Sequence, residues 1–268
     1  MTASGVAPRA VPAPRDARAL LARATPDWAL FLDVDGCLVD FETAPENVRI
    51  PAELLQTLER LQHALGGALA IVSGRTLADL DRLFAPLPLA CAGQYGFERR
   101  SVDGTVHGAP MPDAADVAHV RRCSFALASE LPGLRVEDKI VSFALHYREA
   151  PRLAEPVQRA AFAIAAEVPG RYEVQPGAMV QELKPTLSNK GNAVNLFRRE
   201  APFRERCPVF LGDDFADEAA FAVVNAAGGH SVCIGCDRAT LANHALPSPT
   251  AARAWLAELL RALEARRA

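Results

Sequence analysis

The stretch 28–38 joins a short apolar run to two carboxylates and a glycine, Asp33-Val-Asp35-Gly36. Short apolar runs that end in turn-forming residues are typical of buried β-strands. Side chains two residues apart on an extended chain point to the same side, so Asp33 and Asp35 should project together from the end of the strand. Ligands bind at that end of the strands in open α/β sheets. The pattern therefore predicts either a cation-binding pair of carboxylates or a solvent-exposed turn.

Predicted strands and helices alternate over residues 28–93, where short apolar runs are separated by leucines at helical spacing. This βαβαβ order produces a parallel sheet covered by helices. From about residue 102 the order becomes helix, hairpin, helix, hairpin, which is typical of an α+β unit with an antiparallel sheet. The alternation of strand and helix resumes after residue 184.

We therefore predict an α/β fold with two parts. A Rossmann-like parallel-sheet core comprises residues 26–101 and 185–268, and an inserted α+β cap comprises residues 102–184. Residues 1–25 are rich in alanine, proline and arginine and lack the apolar centre of a secretory signal, so we expect a flexible leader. An arginine-rich, acid-poor segment also fits an organellar transit peptide, although hydroxyl residues are few.

The bulk composition narrows the class of partner. The 268 residues carry a formal net charge of -3, which argues against nucleic acid and anionic membranes as partners. No apolar run approaches the roughly 20 residues that are needed to span a bilayer. We expect a cytoplasmic monomer whose partner is a small molecule.

The six cysteines show no disulfide framework, and only Cys233 and Cys236 form a CxxC pair. A zinc site would need a second such pair or two histidines nearby. Two alternatives are a redox pair and two small residues that line a core strand. We favour the second, because free cysteine is among the most buried residue types.

Polar side chains follow three predicted strands of the α/β core. Asp33 and Asp35 follow the first, Ser73 follows the second, and Asp213-Asp214 follows a strand at 209–211. The carboxyl ends of parallel strands lie along one edge of a sheet, so these side chains should converge. A helix N-cap at Ser73 or a simple turn at Asp213-Asp214 explains each feature alone. Together the set predicts a phosphoryl-transfer site.

The predicted chemistry divides between the two opening carboxylates. Asp33 would attack phosphorus and form an aspartyl-phosphate. Asp35 would protonate the leaving oxygen and later deprotonate the hydrolytic water, provided that its neighbours raise its pKa. Lys190, at the start of a predicted helix, would stabilise developing charge and hold Asp33, although a solvated helix residue is the simpler explanation for this lysine alone.

The remaining residues would bind metal and phosphate. Asp213 would complete a Mg²⁺ site with Asp33, and Asp214 would lie in or beside it. The Ser73 hydroxyl and the Gly74 amide would bind phosphate oxygens at a helix N-terminus.

Four segments resemble the haloacid-dehalogenase superfamily. They are Asp33-Val-Asp35-Gly36-Cys37-Leu38, Ser73-Gly74, Lys190-Gly191, and Gly212-Asp213-Asp214 with Asp217-Glu218. The resemblance covers almost the whole chain after the leader. It implies a Mg²⁺-dependent phosphatase with Asp33 as nucleophile, Asp35 as acid and base, and metal ligands from Asp33, Asp213 and the Asp35 carbonyl.

Further segments narrow the resemblance to the trehalose-6-phosphate phosphatase family. They are Ser73-Gly74-Arg75, 92–98, 137–139, 146–148, 182–185 and Asn189-Lys190-Gly191. The resemblance implies hydrolysis of trehalose 6-phosphate to trehalose and phosphate. It also implies that the cap recognises the sugar through Lys139, His146, Arg148, Glu182 and Lys184.

Two residues depart from the family pattern. Cys37 stands where threonine is usual, which removes a hydroxyl near the phosphate. Tyr95 stands where histidine is usual, and tyrosine donates a hydrogen bond but carries no charge near neutral pH. We expect the first change to have a small effect and the second to bear on sugar selectivity rather than on hydrolysis.

Three alternatives stay open from the sequence. The same chemistry suits another sugar phosphate, such as sucrose phosphate, mannosyl-phosphoglycerate or a hexose phosphate. A phosphomutase shares the aspartyl-phosphate but returns the group to the sugar. A phospho-accepting signalling receiver also places acids, a hydroxyl and a lysine at strand ends, but it needs neither a cap nor an acid at Asp35.

Overall fold

A computed structural model describes residues 13–42 and 45–266 and contains a nine-stranded and a four-stranded sheet. The strands are β1 (Arg15–Asp16), β2 (Trp28–Leu32), β3 (Leu69–Val72), β4 (Ala90–Gly93), β5 (Glu98–Arg100), β6 (Val106–Gly108), β7 (Arg135–Asp138), β8 (Phe143–His146), β9 (Tyr172–Gly177), β10 (Val180–Pro185), β11 (Cys207–Gly212), β12 (His230–Ile234) and β13 (His244–Leu246). The α-helices are α1 (Ala52–Ala64), α2 (Leu77–Phe84), α3 (Ala114–Glu130), α4 (Ala154–Glu167), α5 (Lys190–Phe197), α6 (Glu218–Ala226) and α7 (Pro249–Ala265). Within the described ranges, none of these helices combines the length and the apolar character that a bilayer span requires.

The large sheet forms the core, in the order β1-β13-β12-β11-β2-β3-β4-β5-β6. The first seven strands in this order, from β1 through β13 and β11 to β4, are parallel to one another. Only β5 and β6 are antiparallel to their neighbours. Every residue of β2 and β3 is buried, as expected for a parallel sheet covered by helices on both faces. Strand β2 lies between β11 and β3, with Leu30 opposite Val209 and Leu69. This order places the ends of three strands side by side.

The small sheet forms the cap, in the antiparallel order β7-β8-β10-β9. It packs against α3 and α4 around its own apolar cluster, which includes Phe143, Leu145, Val157 and Leu183. This cluster is separate from the apolar cluster of the core. The α/β core with an inserted α+β cap matches the predicted fold class.

The boundary between the two parts differs from the prediction. Strands β5 and β6 form a hairpin that extends the core sheet, so the predicted cap start at residue 102 falls inside core structure. The elements of the cap run from Ala114, where α3 begins, to Pro185, where β10 ends.

The segment just before β2 is folded, whereas a flexible leader was predicted over residues 1–25. Strand β1 pairs with β13, and a 3₁₀ helix at Ala17–Arg23 follows it. Leu20 of this helix is buried, and the Trp255 indole donates a hydrogen bond of 3.0 Å to the Ala17 carbonyl. These apolar contacts fix a segment whose composition alone suggests disorder. Residues 1–12 of the predicted leader lie outside the described residues.

The sulfur atoms of Cys233 and Cys236 are paired, whereas two separate core thiols were predicted. Cys233 is buried in β12, one residue before the strand ends, and Gly235 turns the chain with a φ of 62° so that the two Cα atoms lie 5.9 Å apart. The Sγ atom of Cys236 lies 3.5 Å from the Asp213 carbonyl oxygen. The pair therefore lies behind the loop that follows β11.

Candidate active site

The ends of β2, β3 and β11 meet at a cavity between core and cap. Asp33, Ser73 and Asp213 directly follow these strands and line the cavity, which is partly open to solvent. The Asp33 amide donates to the Leu211 carbonyl of the neighbouring strand at 3.0 Å. The predicted convergence at one sheet edge is present in the structure.

Lys190 bonds to two buried acids at this edge of the sheet, Asp33 and Asp217. Its Nζ lies 2.9 Å from Asp33 Oδ1 and 2.7 Å from Asp217 Oδ1. The side chains of all three residues are almost fully buried. Burial opposes the ammonium charge, but Asp217 and Asp33 outweigh it and raise the pKa of Lys190 above its ordinary value. Lys190 is therefore a permanent cation that fixes one oxygen of Asp33.

Three carboxylates share this single ammonium. Asp33, Asp213 and Asp217 each place an oxygen within 4.8 Å of the others. Burial, followed by repulsion from Asp33 and Asp217, raises the pKa of Asp213 to about 10. Burial also raises the pKa of Asp33 to about 7, although Lys190 opposes the rise. Asp213 Oδ1 is buried without a hydrogen-bond partner among the described residues. One ammonium beside three carboxylates leaves the cluster short of positive charge, and Asp213 Oδ1 is free to act as a ligand, so the cluster fits a hard divalent cation.

Gly36 is required where the chain leaves this cluster. Its φ is 77°, and a Cβ at this position would lie 2.1 Å from Asp213 Oδ2. The absence of a side chain at Gly36 therefore makes room for the Asp213 carboxylate.

Asp217 has a larger part in the site than the sequence indicated. Its Oδ2 accepts the amides of Asp213 at 2.9 Å and Asp214 at 3.0 Å, which fixes the turn after β11. Asp214, predicted as a metal ligand, lines the cavity but is not part of the three-carboxylate cluster. Its Oδ1 accepts the Phe215 amide at 2.6 Å. Asp217 thus belongs to the cluster, but Lys190 engages one of its oxygens and the two backbone amides engage the other.

Asp35 is held by Arg75, an arginine for which the sequence predicted no role. Arg75 donates from Nε to Asp35 Oδ2 and from Nη2 to Oδ1, both at 2.7 Å. A third bond, from Nη1 to the Pro45 carbonyl at 3.2 Å, fixes the guanidinium. Arg75 therefore binds both oxygens of Asp35 as a planar fork, a geometry in which guanidinium groups bind carboxylates strongly.

Ser73 does not cap the helix that follows it. Thr76 is the N-cap of α2 and accepts the Asp79 amide at 3.1 Å. The Ser73 hydroxyl instead accepts the Arg75 amide at 3.2 Å and lines the cavity. Gly74 also lines the cavity, and its carbonyl accepts a bond of 3.0 Å from Lys139 of the cap.

A buried polar network connects core and cap at Glu182. Its carboxylate accepts bonds from Tyr95 Oη at 2.8 Å, from Ser142 Oγ at 2.9 Å, and from Lys139 Nζ at 3.0 and 3.1 Å. Tyr95 belongs to the core and has a left-handed backbone with a φ of 59°. Burial, reinforced by Glu182, raises the pKa of Tyr95 well above its ordinary value, so it acts as a neutral donor. The tyrosine that replaces the usual histidine therefore links the two domains.

Two further predicted cap residues line the cavity. His146 Nε2 lies 2.8 Å from Glu137 Oε2. Although burial opposes the charge, His146 and Lys139 lower the pKa of Glu137 to about 2. Arg148 donates to the Ala178 carbonyl at 3.0 Å and lies over the ring of Phe41.

Lys184 was predicted to contact the sugar, but its side chain does not line the cavity. Its Nζ bonds to the Glu173 carboxylate and the Ser188 carbonyl instead, and it lies 5.6 Å from the centre of the Tyr95 ring. The ammonium is thus bound between strand β9 and the segment that follows β10, beside the Tyr95 ring.

We expect Lys139→Met to lower kcat/KM by about 10- to 100-fold. Lys139 is a cation that lines the cavity, and a charge-assisted hydrogen bond from such a group contributes about 1.5–3 kcal/mol. Lys184→Met is the matched control, since it removes the other buried lysine of the cap. Its kcat/KM should stay within about three-fold in the fraction that folds, and its cost should appear in thermal stability. Equal losses of kcat/KM in the two folded variants would contradict this distinction.

Sequence comparisons agree with this geometry. The family model described as trehalose-phosphatase matches residues 31–249. The chain belongs to the trehalose-phosphatase family. It is 40% identical over 240 residues to the trehalose-6-phosphate phosphatase of Escherichia coli, covering 90% of this chain and 89% of that protein. It is 41% identical over 235 residues to a probable trehalose-phosphate phosphatase of Sinorhizobium fredii, covering 87% and 88% of the two chains.

Solved structures agree on the fold. The C-terminal domain of the Candida albicans trehalose-6-phosphate phosphatase superposes with a TM-score of 0.85 at 20% identity, covering 92% of this chain and 98% of that one. An Aspergillus fumigatus trehalose-6-phosphate phosphatase gives 0.61 at 25% identity, covering 92% and 99%. These findings confirm the predicted family, the haloacid-dehalogenase-like fold and the enzyme class, a phosphoric monoester hydrolase.

Cys37, the other departure from the family pattern, is fully buried. Burial, reinforced by Asp33 and Asp213, raises the pKa of this thiol well above its ordinary value. A neutral thiol therefore occupies the position where this family usually has a hydroxyl.

Proposed function

We propose that this family member hydrolyses trehalose 6-phosphate to trehalose and phosphate through an aspartyl-phosphate on Asp33, with Mg²⁺ as cofactor. The observation that supports this most directly is the buried floor of the cavity. There Lys190 occupies one oxygen of Asp33, and three carboxylates share that one ammonium. A buried site this poor in positive charge suits a cation and a nucleophilic carboxylate, not a structural ion pair.

Asp33 would act through its second oxygen. Lys190 holds Oδ1, which orients Oδ2 for attack on phosphorus. As the bond from Oδ2 to phosphorus forms, the bond from phosphorus to the sugar oxygen breaks, and Asp35 gives that oxygen a proton. In the second step Asp35 takes a proton from water, the water oxygen attacks phosphorus, and Asp33 leaves as a carboxylate.

Arg75 would keep Asp35 in place between these steps. Both oxygens of the carboxylate are bound to the guanidinium, so Asp35 must give up at least one of these bonds to hold a proton. Ser73, the Gly74 amide and Lys190 would bind the phosphate oxygens. Mg²⁺ held by Asp33, Asp213 and the Asp35 carbonyl would offset the charge of the phosphate.

The cap supports a sugar as the leaving group. Charged and hydrogen-bonding side chains of both signs face the cavity from the cap, and such groups suit the many hydroxyls of an uncharged disaccharide. They are Glu137, Lys139, His146, Arg148 and Glu182. The names of the relatives from Escherichia coli and Sinorhizobium fredii point to the same substrate. The cytoplasmic location and the monomeric state stay predictions from the sequence.

The test is phosphate release from trehalose 6-phosphate with Mg²⁺, with EDTA, and with Mg²⁺ restored after EDTA. We expect turnover that EDTA abolishes and Mg²⁺ recovers. A panel of sucrose 6-phosphate, glucose 6-phosphate and mannosyl-phosphoglycerate, compared by kcat/KM, tests the substrate. A higher kcat/KM for any of these would overturn the assignment to trehalose 6-phosphate, and transfer of phosphate without release would indicate a mutase.

We expect Arg75→Lys to lower kcat/KM for trehalose 6-phosphate by about 100-fold, because general acid–base catalysis contributes about 10²–10⁴ and lysine cannot bind both oxygens of Asp35 as a fork. With p-nitrophenyl phosphate, whose leaving group needs little protonation, the loss of kcat/KM should stay below about ten-fold, since kcat/KM reports the first phosphoryl transfer and not the later attack of water. Arg82→Lys, on the exposed side of α2, is the matched control. Equal losses on both substrates would refute a role through Asp35.

A further inference from the structure

A second cluster of metal-binding side chains lies in the cap, outside the site described above. His119 and Cys123 are one helical turn apart on α3, and Glu167 is the last residue of α4. Each offers a donor atom, and the three donor atoms lie within 4.8 Å of one another. None of the three residues lines the catalytic cavity.

The spacing of the donor atoms suits one small ion. His119 Nε2 lies 2.7 Å from Glu167 Oε2 and 3.6 Å from Cys123 Sγ. In a tetrahedral zinc site, bonds of about 2.0–2.3 Å place neighbouring donor atoms about 3.3–3.7 Å apart. Sub-ångström shifts of side chains that are only partly buried would convert the present contacts into ligation.

We infer that His119, Cys123 and Glu167 form a Zn²⁺ site that joins α3 to α4, with water as the fourth ligand. The mixed nitrogen, sulfur and carboxylate donors favour Zn²⁺ over Mg²⁺ or Ca²⁺, which prefer oxygen alone. The ion would replace the thiol proton of Cys123, which passes to solvent. Glu167 ends a 14-residue helix, where the helix dipole favours a cation.

One neighbour opposes this site. The Arg122 guanidinium lies 3.4 Å from His119 Nδ1, on the ring edge opposite Nε2. When zinc binds Nε2, the ring proton stays on Nδ1. Nδ1 is then a donor and cannot accept a hydrogen bond from Arg122, so the contact between Arg122 and His119 is lost. Arg122 is exposed, and its side chain can turn into solvent at little cost.

The consequence of the site would be a stiffer cap. The two helices that cover the cap sheet touch each other directly, and the side chain of Cys123 packs against the apolar cluster of the cap. An ion between the helices would stabilise that cluster and leave the cavity unchanged. We therefore expect a gain in stability and no change in the catalytic rate.

The experiment is a Zn²⁺ titration of the full chain in excess Mg²⁺, followed by calorimetry. Wild type should bind one equivalent of Zn²⁺ that His119→Ala and Cys123→Ser each weaken by about 100-fold or more, since loss of a supporting residue alone costs about 10- to 100-fold. The controls His63→Ala and Cys207→Ser remove a histidine and a free cysteine elsewhere and should bind as wild type does. A second, more weakly bound Zn²⁺ that remains in every variant would be bound by the catalytic carboxylates.

Two further readouts separate ligation from nonspecific binding. Zinc should raise the Tm of wild type by about 5 °C at 100 times the Kd, and it should not raise that of Cys123→Ser. Cobalt in place of zinc should give a sulfur-to-metal charge-transfer band in the near ultraviolet that Cys123→Ser removes. Equal affinity in wild type and both ligand variants, or a band that survives in Cys123→Ser, would overturn the site.

Discussion

Asp33→Asn is expected to lower kcat by about four orders of magnitude or more while the fold stays intact. Asparagine has the shape of aspartate and keeps an oxygen for the hydrogen bond from Lys190, but its amide nitrogen cannot attack phosphorus. Replacement of a nucleophile in other enzymes causes losses of about this size. The variant should also fail to retain phosphate after an acid quench during turnover.

Asp27→Asn is the matched control for this variant. Asp27 is exposed and lies just before β2, at the opposite end of the strand that Asp33 follows. It should keep full activity. Circular dichroism and thermal melting of Asp33→Asn should match wild type, or show a higher Tm without Mg²⁺ because one charge of the cluster is removed. Mg²⁺-dependent phosphate release by Asp33→Asn, above that of a mock purification, would contradict the nucleophile assignment.

Asp213→Asn is expected to lower kcat/KM in saturating Mg²⁺ by about 10³-fold, because a catalytic metal contributes several kcal/mol to the transition state. Asp214→Asn is the internal comparison, since asparagine also caps the turn and Asp214 lies outside the three-carboxylate cluster. Its kcat/KM should stay within about ten-fold of wild type. A larger loss in Asp214→Asn than in Asp213→Asn would return the ligand role to Asp214.

Asp213→Asn should lower activity in Mg²⁺ but raise stability when no metal is present. The pKa of Asp213 rises from 3.8 to about 10 on folding, so the folded state binds more protons over that interval. The free energy of unfolding of metal-free wild type should therefore fall as the pH rises between these values. Asp213→Asn lacks this loss, and we expect it to be about 1–2 kcal/mol more stable than wild type at pH 8 and equal near pH 4. Urea unfolding with EDTA at the two pH values measures this, and Mg²⁺ should stabilise wild type alone.

The parts of the fold that were predicted correctly are those in which apolar runs carry the information. Strands β2, β3 and β11 are continuous apolar runs because helices cover both faces of a parallel sheet. The hairpin at the other edge gives no such signal, since its outer strand β6 consists of Val106, His107 and Gly108, all of them exposed. Edge strands pair through the backbone and need no apolar side chains, so the cap boundary was placed too early.

In the site, too, some residues could be predicted from the sequence and others could not. Asp33, Asp213 and Lys190 were found because strand ends and helix starts fix their backbone positions. Arg75 was missed because its role depends on where a long side chain points, and no periodicity shows that. Lys139 and Lys184 are both buried lysines of the cap, and the turn after β10, not the sequence pattern, decides which of them faces the cavity.

The pairing of β1 with β13 sets an order in which the chain can be completed during synthesis. Arg15 lies opposite His244, so within the described residues the first strand along the chain pairs with the last. Until residues 244–265 have emerged, the edge of β12 lacks its partner β13 and Leu20 has no helix α7 to pack against. Unpaired strand edges and exposed apolar residues are the surfaces through which nascent chains aggregate. A ribosome that stalls before residue 244 would therefore leave the edge of β12 unpaired.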